Sequence, residues 1–161
     1  MKITTTSSRL FWAGIALFLC FSACDQNRGL SPEDYSPENL LSWNQTIMEL
    51  AKEKDALLTL NGVRTEAIAF AAAHNALNRI TSIYSLYQSL GEVVQADPQA
   101  AVAQAMFEVT LSSFPEKEAE LMDMLEAQLA EITEGPVKEQ GIQLGSECAQ
   151  ELLAIRSADG W

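Results

Sequence analysis

Few residues in this chain are equipped for chemistry. A single histidine, His74, stands among 161 residues, with three cysteines at positions 20, 24 and 148. Nucleophilic catalysis needs a nucleophile and a base in hydrogen-bond reach, and acid–base work shared by two imidazoles needs two of them. His74 lies one helical turn from Phe70 and from Leu77. That is the setting of a hydrogen-bonded structural histidine, with Asn78, four residues on, as its expected partner. One His and scattered Cys cannot assemble a structural zinc site. Glu116, Glu118, Glu120 and Asp123 crowd one stretch without the spacing of a calcium loop, and they read as a solvated acidic face. Met106, Met122 and Met124 read as core filler rather than as copper ligands. The sequence holds no Gly-rich phosphate loop, Cys-x-x-Cys-His haem site, Ser nucleophile elbow or Glu-x-x-His di-iron pairing. Beyond residue 23 the arginines are Arg28, Arg64, Arg79 and Arg156, and their places on a tether and near helix ends predict no convergence. No catalytic, cofactor-binding or metal-ligating residue is therefore predicted for this chain alone.

Cys24 is the exception, and its chemistry is lipidation. Lys2 and Arg9 supply a positive start, and Leu10 to Ala23 is an apolar run. Such a run falls short of the roughly 20 residues of an ordinary transmembrane helix and suits the core of a secretion signal. It ends in Phe21-Ser22-Ala23-Cys24, small residues just before a Cys, as a bacterial lipoprotein signal peptidase requires. Phe21 stands where Leu is usual. Residues 1–23 are thus expected to be a lipoprotein signal peptide, with Cys24 the acylated start of the mature chain. Ordinary cleavage after Ala23 and a plain hydrophobic anchor are the alternatives. The predicted location is the bacterial cell envelope, with the chain lipid-anchored on a periplasmic or outer surface. Residues 24–35, polar with Gly and Pro, form the tether. Loss of residues 1–23 removes two cations and no acid, which takes the net charge from −12 to −14. Only Cys148 then remains as a thiol, and among apolar neighbours it reads as a small core residue.

So acidic a chain repels phosphates and is a poor nucleic-acid binder. Hydrophobic residues make up 48% of it, enough for a core, and its length suits one domain over residues 36–161. From Ser36 onward the apolar periodicity is helical, and it predicts five segments. The first runs from Pro37 to about Leu58, capped by Ser36, with Leu40, Trp43, Ile47 and Leu50 as its buried stripe. Asn61-Gly62 is expected to break the chain. The second runs from about Arg64 into the Tyr84 region, with Phe70, Ala73, Leu77, Ile80, Tyr84 and Tyr87 in line. Its many alanines make it slim, and it is expected to be the most buried element. The third, Pro98 to Ser113, has Asp97 as cap and Val102, Ala105, Met106 and Val109 inward. The fourth runs from Pro115 to about Glu134 with Leu121, Met122, Leu125, Leu129 and Ile132 inward, until Gly135-Pro136 stops it. The fifth runs from Val137 to Arg156 with Ile142, Gly145, Ala149, Leu152 and Leu153 inward. Short connections make consecutive helices antiparallel, so the fold class is an all-α antiparallel bundle of about five helices after the signal segment.

Four stretches also carry a family likeness. The run from Arg64 to Ile80, containing His74-Asn75-Ala76-Leu77-Asn78, resembles the His-Asp-Ala-(Val/Leu)-Asn helix of vanadium-dependent haloperoxidase-like proteins, with Tyr84 and Tyr87 as the aromatic turn that follows. Asn75 stands where that family often has Asp. Ala100 to Pro115 resembles the family's Ala-rich helix ending in Leu-Phe-Pro. The stretch from Gly135-Pro136 through Gly141 and Gly145 to Arg156-Ser-Ala-Asp159-Gly160 resembles its next helix, which closes on Arg-x-x-Asp-Gly, and Trp43-Asn44 fits its opening helix. The family shares fold and site with type-2 phosphatidic acid phosphatases. The resemblance implies a vanadate or phosphate pocket built from Lys-x6-Arg-Pro, Ser-Gly-His and Ser-Arg-x3-Gly-His patterns, in which bidentate Arg holds the oxyanion.

Those patterns lie beyond the region of resemblance, and this sequence does not contain them. Lys2 and Arg9 have the spacing of the first, but Leu10 follows instead of Pro. The resemblance therefore implies the N-terminal helical portion of such a protein, a truncated product or half of a split one, without the vanadate or phosphate site. Its expected partners are the membrane, through lipidated Cys24, and a second chain carrying the missing C-terminal half. The alternative is a self-sufficient helical envelope lipoprotein that binds another envelope protein.

Overall fold

The computed structural model describes residues 36–56, 60–85 and 95–160. The signal, Cys24, the tether with Arg28, and Tyr87 lie outside them. Five α-helices and one 3-10 turn follow in order, and no strand occurs among the described residues: α1 (Glu38–Asp55), α2 (Leu60–Thr81), α3 (Pro98–Ser113), the turn Pro115–Lys117, α4 (Glu118–Ala130) and α5 (Pro136–Arg156). The predicted all-α bundle is the fold.

At the start of α1, Ser36 Oγ accepts from the Glu38 N–H at 3.2 Å. That satisfies one of the first-turn donors a helix leaves unpaired. Trp43, Ile47 and Leu50 are buried as predicted, and Leu40 packs at their edge. Each large apolar side chain so buried contributes about 1.5–3 kcal/mol. The helix ends at Asp55, where Ala56 turns left-handed at φ 61°. The reversal therefore falls earlier than Asn61-Gly62, and those two residues lie in the first turn of α2. A first turn tolerates them because its amides need no partner within the helix. The Asn61 carbonyl in addition accepts from Thr65 Oγ1 at 3.0 Å.

The buried face of α2 is rotated from the predicted one. Ile68, Ala69, Ala72, Ala73 and Ala76 point inward together with Thr65, Asn75 and Asn78. Phe70, Leu77 and Ile80 sit half-buried at the flanks, and Tyr84 is 72% exposed beyond the helix end. The small side chains face the neighbours because they allow close helix approach, and the larger ones fill the wider space at the edges.

The most buried helix is α3, not α2. Ten of its 16 residues are buried, against nine of 22 in α2. It touches each of the other four helices. An element enclosed in this way is apolar over most of its circumference; Ala100, Ala101, Val102, Ala103, Ala105, Met106, Phe107 and Val109 meet that need, while half-buried Gln104 donates to Glu108 at 3.0 Å. Its start matches prediction: Asp97 Oδ1 accepts from the Ala100 N–H at 2.9 Å and Pro98 takes the first turn. Pro115 opens the 3-10 turn rather than α4 itself, and α4 buries Leu121 and Leu125 with Met122 and Leu129 at their edge.

Two glycines let α5 lie on α3. A Cβ at Gly141 would stand 2.5 Å from the Asp97 carbonyl oxygen, and one at Gly145 would stand 2.3 Å from that of Ala101. The Asp97 N–H donates to the Val137 carbonyl at 2.9 Å, which pins the two helix starts together. Inside the bundle, the Trp43 indole N–H donates to Gln128 Oε1 at 2.9 Å, and its ring meets Phe107 edge-on at 6.3 Å. This bond ties α1 to α4 across the core.

Candidate functional site

A cluster of two arginines and a carboxylate forms where the start of α2 meets the end of α5. Arg64 Nη2 donates to the Arg156 carbonyl at 2.9 Å and to both Asp159 oxygens at 3.1 Å. Arg156 Nη1 lies 3.7 Å from the same carboxylate. The expectation that the arginines would not converge is thus corrected for Arg64 and Arg156, which share Asp159. Ninety-five residues separate Arg64 from Asp159, and only the antiparallel return of α5 beside α2 brings them together.

The same three residues, with Ala67, Ile68, Ala71 and Leu152, line a groove of about 380 Å³. None of these seven residues carries a hydroxyl, thiol or imidazole. The Arg156 carbonyl is one of the last-turn acceptors that a helix leaves unpaired, and Arg64 satisfies it. The guanidinium therefore works as a clasp that closes α5 onto α2. Arg79 lies elsewhere: its Nη1 stands 3.4 Å from Glu147 on α5, and its side chain is mostly buried.

His74 serves the backbone. Its Nε2 is 3.1 Å from the Ser85 carbonyl oxygen, and its ring tilts against Tyr84 at 6.3 Å. Asn78 is not its partner, contrary to expectation. The Asn78 amide instead holds Tyr84 at both ends, with Oδ1 accepting from the Tyr84 N–H at 2.7 Å and Nδ2 donating to the Tyr84 carbonyl. Together the two side chains strap residues 84–85 back against the end of α2, after Ser82 turns left-handed at φ 51°. The polar pattern at positions 74 and 78 signalled a hydrogen-bonding pair in the sequence, but not that both would aim at the following turn.

The other singled-out residues fall where packing and solvent put them. Cys148 is wholly buried and free. Burial raises its thiol pKa, against the opposing pull of the Arg79 guanidinium. Glu116, Glu118, Glu120 and Asp123 are exposed, and no group of three or more metal-ligating side chains occurs among the described residues. Lys117 bonds Glu53 at 2.7 Å, which raises its pKa, with further attraction from Glu120 and Glu116. Met106 is fully buried, and Met122 and Met124 pack at the core edge. Among the described residues no helix is long and apolar enough to cross a membrane. Comparison of the chain with protein-family models, with curated proteins and with solved structures gives no match.

Proposed function

We propose that this chain is the lipid-anchored N-terminal helical portion of a vanadium haloperoxidase-like or type-2 phosphatidic acid phosphatase superfamily protein. It supplies a helical half without the vanadate or phosphate site and is not catalytic alone. It sits in the bacterial cell envelope, acylated at Cys24, and a second chain carrying the C-terminal half completes it. The observation that carries this reading is the clasp. The stretches that resemble the family occupy α1, α2, α3 and α5 in order, and the Arg156-x-x-Asp159 end of the last is bonded to Arg64 at the head of the second. A motif whose charged residues hold two helices together has a structural task in a portion of that kind. Its single His leaves at most one of the family's two imidazole roles open to it.

Two measurements test the reading. Fatty-acid labelling in a bacterial host should tag the wild-type chain and not the Cys24→Ala variant; equal labelling of both would sink the anchor. The isolated chain should turn over neither bromide with vanadate nor a phosphate ester, while a mixture with a chain carrying the Ser-Gly-His and Ser-Arg-x3-Gly-His patterns should do so. Turnover by the isolated chain overturns the proposal.

A second reading, a self-sufficient envelope lipoprotein that binds another envelope protein, is favoured by the enclosure of α3 within this chain's own helices. It expects a monomer that melts in one cooperative step. A half awaiting its partner expects association instead, through the apolar face left uncovered.

A further inference from the structure

We draw no further inference here: the strongest candidate, the exposed Ile83–Tyr84 pair on the turn that Asn78 and His74 strap against the end of α2, is an apolar patch with nothing in the structure to show what covers it.

Discussion

Replacing Gln128 by Leu would leave the Trp43 indole N–H buried and without an acceptor. A stranded buried donor costs about 1–3 kcal/mol, more than the hydrogen bond itself contributes net. Urea denaturation of Gln128→Leu should show that loss; an unchanged midpoint would mean that the indole finds another acceptor. The Arg64 clasp is a different case. Its two side chains are 27% and 30% exposed, so solvent screens the pair and its ionic part is worth at most about 1 kcal/mol. Arg64→Ala should therefore lose little from the ion pair, and the stability it does cost, about 1.5 kcal/mol, comes from the hydrogen bond to the Arg156 carbonyl. It should speed amide exchange in the last turn of α5, because the bond from Arg64 that ties the Arg156 carbonyl to α2 is removed. Neither contact was legible in the sequence. The spacing of Trp43 with Ile47 and Leu50 announces the buried stripe, yet the indole's partner lies 85 residues away, and residue spacing along one helix carries no information about a bond between two.

Elements were legible where the determinants are local. Asp97 before Pro98 announces a helix start through a side-chain oxygen three residues from the amide it serves, and the stripe from Trp43 to Leu50 announces which face of α1 turns inward. The alanines of α2 announce neither, since a run of like residues points in no direction, and its inward face was set by neighbouring helices. The rank of α3 as the central helix depends likewise on what surrounds it. Its contact with α5 yields a prediction in which two effects oppose. Gly145→Ala gains about 1 kcal/mol of helix propensity. Its new Cβ, however, meets the Ala101 carbonyl oxygen at 2.3 Å, Gln104 Cβ at 2.9 Å and the Ala105 nitrogen at 3.0 Å. Two of these atoms are backbone on a helix hemmed in by all the others, so they cannot yield. Overpacking costs of about 1–3 kcal/mol apply, and the first-named clash lies at the hard end of that range. The net expectation is destabilisation, read as a lower melting temperature. Gln140→Ala, on the exposed side of the same helix, should shift it little, within about 0.5 kcal/mol.

At the scale of the whole molecule, two titrating groups give the stability curve an alkaline edge. Burial raises the Cys148 thiol in the folded state, while in the unfolded chain it ionises around its ordinary value of 9.0. The Glu53 hydrogen bond raises Lys117 from its ordinary 10.5. A group whose folded pKa lies above its unfolded one adds stability in full below the unfolded value. It loses that stability as pH rises through the folded value. Both groups therefore weaken the fold in the same direction, Cys148 first. General charge repulsion rises over the same range, because a chain already at −12 sheds its lysine charges. Cys148→Ala separates the causes. The variant should be weaker than the parent at neutral pH, from the cavity left in place of the sulfur. It should nevertheless lose less stability between pH 8 and 10, because its buried site no longer has a proton to release. Parallel urea-denaturation curves for parent and variant across that interval would instead place the alkaline loss in Lys117 and surface repulsion, with the thiol as a bystander in the core.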